Sequence, residues 1–156
     1  MGVDWLVTLA TKATKLSLLN PYWSSCRAAR KAEIIMRILL AFEREYRLYI
    51  EAIAEALRTF RSHVEVALTE AGNLEAEVDR FDPQLVFSTS HISSNPVDPK
   101  VTASAELSPE PDQPSRFRLG ERHWESTNPT LGEILSVVDE TRSLHMTFHE
   151  AESAGT

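Results

Sequence analysis

The chain has 156 residues, of which 42% are hydrophobic and 25% charged, with a formal net charge of −7. This composition is that of an average globular domain, and it excludes a fully disordered or collagen-like chain. No apolar stretch approaches the ~20 residues that a membrane-spanning helix needs. A single cysteine excludes an internal disulfide and a multi-cysteine zinc site.

The charge is divided unevenly along the chain. Residues 1–36 contain five basic and two acidic side chains, a net +3, which leaves −10 for the remainder. A body this acidic repels phosphate backbones, so we expect no nucleic-acid partner for it. Three interpretations stay open for residues 1–35: a transit peptide, a small helical appendage, or a segment outside a functional domain that starts at Met36.

The first predicted elements alternate between strand and helix. Residues 38–42 form a continuous apolar run, which is typical of a strand buried on both faces. Residues 45–61 have apolar side chains at steps of three and four, which predicts a long helix. Residues 64–68 and 85–89 indicate further strands, and 73–80 indicate a short acidic helix between them. This β-α-β-α-β order implies a parallel sheet with right-handed crossovers.

The second half of the chain has a different pattern. Residues 101–107 indicate a strand, and a proline-rich stretch follows that cannot form a helix interior. Two short strands then flank Gly120 and Glu121, and strands joined so closely must be antiparallel. Thr130 and Glu133 form a capping box before an apolar stripe, which predicts a C-terminal helix.

The predicted fold is therefore α/β. A three-layer parallel βαβαβ unit is extended by an antiparallel hairpin and closed by the C-terminal helix. We place the domain at residues 36–145, with an N-terminal appendage over 1–35 and a flexible tail over 146–156, where the sequence becomes small and polar.

The strand at 38–42, Glu43 and Glu45 directly after it, the long first helix and the segment 80–89 together carry a family resemblance. In these features residues 37–89 resemble the first half of a response-regulator receiver domain, which has a flavodoxin-like fold. The resemblance implies a signalling role in which an aspartate at the end of the third strand accepts a phosphoryl group.

This sequence departs from the receiver pattern at that aspartate. Thr89 occupies its position. A hydroxyl of ordinary pKa cannot take the place of a carboxylate, either as the phosphoryl acceptor or as a magnesium ligand. A receiver also continues with two more strand–helix units and a lysine, where this chain has a proline-rich loop and a hairpin. The resemblance therefore implies a degenerate receiver-like domain without aspartyl-phosphate chemistry.

The carboxyl ends of the parallel strands are the first candidate site, because ligands bind there in open α/β sheets. The polar side chains predicted at this edge are Glu43, Glu45, Ser88, Thr89, Ser90 and His91. They predict a site for a small polar ligand, and ordinary loop residues are the alternative. No glycine-rich phosphate loop follows the first strand, so we expect no nucleotide cofactor. His145 and His149 would share a helix face, but spacing fixes no third ligand, and we predict no metal site and no catalytic residue.

The hairpin is the second candidate site, because an edge strand can pair with another chain. Its aromatic, leucine and arginine side chains, of types enriched at interfaces, are Arg116, Phe117, Arg118, Leu119, Arg122 and Trp124. The alternative is that one face of the hairpin packs on the core of its own domain while the arginines keep the edge soluble. We therefore predict a non-catalytic, receiver-like regulatory or protein-interaction domain, with a protein partner or a second copy of itself. The alternative is a small-molecule-binding protein or hydrolase that uses the carboxyl ends of the strands. We expect no membrane partner and a cytoplasmic location.

Overall fold

A computed structural model describes residues 35–89 and 101–155. Its elements are β1 (Met36–Phe42), α1 (Arg47–Phe60), β2 (Val64–Glu70), α2 (Leu74–Phe81), β3 (Leu85–Thr89), β4 (Ala103–Leu107), β5 (Pro114–Leu119), β6 (Arg122–Thr127) and α3 (Leu131–Ala154). Short 3₁₀ turns lead into α1 and α2. Apart from Ile35, the predicted appendage over 1–35 lies outside the described residues.

The six strands form one sheet in the order β2-β1-β3-β4-β5-β6. The pairs β1–β2, β1–β3 and β3–β4 are parallel, whereas β4–β5 and β5–β6 are antiparallel. The predicted α/β class, with a mostly parallel sheet and a C-terminal helix, is confirmed. The parallel part has one strand more than predicted, because β4 begins at the same edge as β3, with Ala103 beside Leu85.

Helices cover both faces of this sheet. The apolar faces of α1 and α3 pack on one side, for example Ile50 and Val138, against inward side chains such as Leu40 of β1. On the other side α2 packs Val78 near Leu39 of the same strand. Successive residues of a strand point to opposite faces, so β1 contributes to both cores. This double burial explains the continuous apolar run that predicted the strand.

Helix α3 begins at the predicted capping box. The Thr130 hydroxyl accepts a hydrogen bond from the Glu133 amide, and the Glu133 carboxylate accepts one from the Thr130 amide. The helix continues to Ala154, however, so the tail predicted over 146–156 is helical up to that residue. Neither glycine nor proline occurs between Gly132 and Gly155, and nothing in the sequence therefore stops the helix earlier.

Replacing Thr130 with alanine is expected to lower the free energy of unfolding by about 1 kcal/mol, because the Glu133 amide loses its acceptor. Thr147→Ala is the matched control, since that hydroxyl only bonds back to the Ser143 carbonyl in mid-helix. We expect no loss from the control. Urea titrations of both variants measure the difference, and equal losses would contradict a stabilising cap.

Candidate functional site

The carboxyl ends of the four parallel strands lie at one edge of the sheet, which we call the carboxyl edge. The chain leaves β1 here through Glu43 towards α1 and β2, while β3 lies on the opposite side of β1. Such a divergence is the place where open α/β sheets form a ligand-binding crevice. Glu43 is half-buried and Glu45 is exposed at this edge, so neither residue is enclosed in the core.

The two predicted hydroxyl residues at the end of β3 are buried. Ser88 and Thr89 face opposite sides of the sheet, and Thr89 shares the side of Phe87 in the larger core. Thr89 is 0% exposed, and its Oγ1 has no hydrogen-bond partner among the described residues. A ligand arriving from solvent cannot reach this hydroxyl.

The residues of the predicted site at the carboxyl edge therefore differ in burial. Its carboxylates lie at the surface and its described hydroxyls lie inside, while Ser90 and His91 fall outside the described residues. Glu70, which ends β2, pairs with Arg44 at 3.4 Å between Nε and Oε1. Within residues 35–89 and 101–155, no three His, Cys, Asp or Glu side chains gather into a group that could hold a metal ion.

The strand alternation of β5 separates the residues of the predicted hairpin interface. Phe117 and Leu119 are only 3% and 5% exposed, because they face the side of the sheet that α3 covers. The Phe117 ring stacks on half-buried Trp124, with centroids 5.2 Å apart and planes 10° from parallel. Arg122 lies over the Trp124 ring at 5.0 Å and donates to Glu140 of α3 at 2.6 Å. These four side chains therefore fasten the hairpin to its own domain.

The other two arginines of the hairpin point to the opposite face of the sheet. Arg116 lies 3.2 Å from Glu125 of β6 and 3.9 Å from Glu106 of β4. Arg118 donates from Nε to the Ser104 hydroxyl at 3.3 Å and from Nη2 to a backbone carbonyl at 3.0 Å. In the part of the chain that the structure describes, these contacts form a polar strip across β4, β5 and β6.

A cleft of about 610 Å³ lies at the opposite, amino edge of the sheet. It forms where the last turns of α3 pass the beginning of β4 and the end of β5. The side chains of chemical interest that line it are Arg118, His145, Phe148, His149 and Glu152. The two imidazole rings meet edge to face, with centroids 4.5 Å apart. Burial, reinforced by the neighbouring His149, lowers the pKa of His145.

This cleft could not be expected from the predicted domain, which ended at residue 145. The absence of glycine and proline between Gly132 and Gly155 is the sequence feature that indicates a longer helix. A helix of that length includes His149 and Glu152.

Among the described residues, no helix combines the length and the apolar character required to cross a bilayer. Compared with protein-family models, with curated proteins and with solved structures, the chain has no match in any of the three. Its function is therefore inferred from its own residues.

Proposed function

We propose that this protein is a non-catalytic regulatory domain of receiver-like architecture that acts by contact with another protein chain. The observation that carries the proposal is the burial of Thr89. In the receiver resemblance this residue corresponds to the phosphoacceptor, and it is 0% exposed. A phosphoryl donor has no access to it, so the domain works without covalent chemistry at that position.

The strand order supports the receiver-like part of the proposal. The order β2-β1-β3-β4 is that of the first four strands in flavodoxin-like sheets. The chain then departs from that plan, because β5 and β6 are antiparallel where a flavodoxin-like sheet has a fifth parallel strand. The hairpin therefore ends the sheet in an antiparallel strand, β6, before the chain continues into α3.

The outer edge of β6 supports the contact part of the proposal, because no other strand of the described residues pairs with it. β6 is the last strand in the sheet order, with β5 on one side. Leu119 and Arg122 flank a two-residue turn in which Gly120 has φ 59°, as in a type II′ turn. The residues that flank such a turn bond to each other, and the alternation therefore directs the backbone groups of His123, Glu125 and Thr127 outwards.

A second copy of the same strand is the partner that best complements this edge. If β6 pairs antiparallel with β6 of a second copy around Trp124, His123 lies opposite Glu125 of the second copy, and the reverse pair is also made. The two tryptophans then face each other in a non-hydrogen-bonded pair, where side chains come closest. Such a pairing is self-complementary, as a two-fold symmetric interface requires.

Replacing Glu125 with proline tests this edge, because proline removes an outward amide donor and leaves the β5–β6 hydrogen bonds intact. We expect the wild type to be a dimer in light scattering after size exclusion, and Glu125→Pro to be a monomer. Glu125→Thr is the matched control. Like the proline variant it loses the carboxylate that pairs with Arg116 and that would face His123 of the second copy, but it keeps the backbone amide and should remain dimeric.

Two outcomes would contradict the proposal. A wild type that stays monomeric at concentrations up to about 1 mM, where even a dissociation constant in that range would give dimers, would exclude self-pairing. A dimeric Glu125→Pro variant that is folded by circular dichroism would place the interface elsewhere on the surface.

A further inference from the structure

The amino-edge cleft differs chemically from the rest of the acidic domain. Apart from residues 1–36 the chain carries a net charge of −10, yet the cleft brings together one arginine and two histidines. Glu152 is the acidic side chain among its lining residues. The volume of about 610 Å³ falls within the range of small-molecule sites in proteins.

Arg118 is held in place before any ligand arrives. Its Nε donates to the Ser104 hydroxyl at 3.3 Å, and its Nη2 donates to the Val101 carbonyl at 3.0 Å. Nη1 makes no hydrogen bond with another residue in the ranges 35–89 and 101–155. A guanidinium fixed on one side, with donors remaining on the other, is organised to receive an anionic oxygen.

The helix side of the cleft supplies hydrogen-bond donors and an aromatic surface. The rings of His145 and His149 offer imidazole N–H groups, and they face the space that Arg118 lines. Phe148 is 60% exposed, although it is the largest apolar side chain at the cleft. A planar apolar ligand would cover this ring and remove apolar surface from water.

We propose that the amino-edge cleft binds a small aromatic molecule that carries one carboxylate or phosphate group. The anionic group lies at Arg118 and the imidazoles, and the ring lies against Phe148. Glu152 repels a second anionic group and so orients the ligand with its charged end towards Arg118. This site is separate from the β6 edge and does not depend on dimer formation.

A series of three probes separates the two parts of the ligand. Phenyl phosphate carries both the ring and the anion, inorganic phosphate carries the anion alone, and phenol carries the ring alone. In titrations followed by ¹⁵N–¹H chemical shifts, we expect phenyl phosphate to bind at least about tenfold more tightly than either fragment. The largest shifts should occur at Thr102, Gly120 and His149, which surround the cleft.

Matched variants locate the site. Arg118→Gln should weaken phenyl phosphate about tenfold, whereas Arg116→Gln, two residues away on the same face of β5, should leave the affinity unchanged. Phe148→Ala should weaken binding, and Met146→Ala should not, since Met146 is exposed on the same helix outside the cleft. Both helix residues are exposed, so neither substitution threatens the fold.

Three results would overturn the proposal. The first is equal affinity for phenyl phosphate and inorganic phosphate, which would remove the aromatic part. The second is equal weakening by the two arginine substitutions, which would make the effect one of overall charge. The third is a set of shifts confined to the carboxyl edge around Glu43, at the far side of the sheet.

Discussion

Replacing Phe117 with alanine is expected to lower the free energy of unfolding by about 3–5 kcal/mol. The side chain is 3% exposed, lies in the larger core and stacks on Trp124 at 5.2 Å. Its removal leaves a cavity between β5 and α3 that a fixed helix and sheet cannot close fully. Urea denaturation followed by tryptophan fluorescence and circular dichroism measures the loss.

Two comparisons distinguish a core residue from an interface residue. Trp124→Ala removes the stacking partner from a half-buried position, and should therefore cost less than Phe117→Ala. If Phe117 served an interface instead, its substitution would change the oligomeric state at nearly unchanged stability. That result would contradict the packing of β5 against α3.

The second large effect is expected at Thr89, where two substitutions should change the stability in opposite directions. Thr89→Val removes an enclosed hydroxyl that has no partner among the described residues while keeping the side-chain shape. We expect no loss of stability, or a gain of up to about 1 kcal/mol. Thr89→Asp restores the acid of the receiver pattern but buries a charge, and we expect a loss of about 3–5 kcal/mol at pH 8.

The loss caused by Thr89→Asp should depend on pH. Burial raises the pKa of a carboxyl in the folded state above its unfolded value of about 3.9. The folded state then holds the proton over a wider range, so stability falls as pH rises from about 4 through the folded pKa. Unfolding measured at pH 4 and pH 8 should therefore show the larger deficit at pH 8. An aspartate variant as stable as the wild type at both values would mean that this position is open to solvent.

The first half of the chain could be predicted closely because the spacing of its apolar residues along the sequence indicates which side chains are buried. Residues 85–89 were predicted as a strand with the observed bounds, and 45–61 contain the observed helix Arg47–Phe60. Both elements bury a regular set of side chains: β3 buries residues on both of its faces, and α1 buries one stripe along the helix. The capping box at Thr130 is equally local and was found for the same reason.

The parts that were not predicted depend on contacts between distant segments. The alternation of residues 101–107 indicates a strand but carries no information on the direction of its neighbour, so its parallel pairing with β3 was missed. Alternation in β5 separates Phe117 from Arg116 and Arg118, yet it cannot say whether the apolar side meets a helix of the same chain or a partner. Thr89 looks like a surface hydroxyl in sequence, and only the assembled sheet shows it enclosed.

The two outermost strands of the sheet, β2 and β6, differ in how freely they could pair with another chain. This difference limits how many copies could assemble. At β2 the Arg58 side chain of α1 donates from Nη2 to the Val66 carbonyl at 3.2 Å, so a side chain already occupies a backbone acceptor there. Exposed Glu65 and Glu70 add charge along the same border. In the proposed dimer each β6 pairs with β6 of the other copy, and the two β2 borders, which are obstructed, face outwards. Each copy therefore has one border that can pair with another chain, so assembly stops at the dimer and no fibre grows.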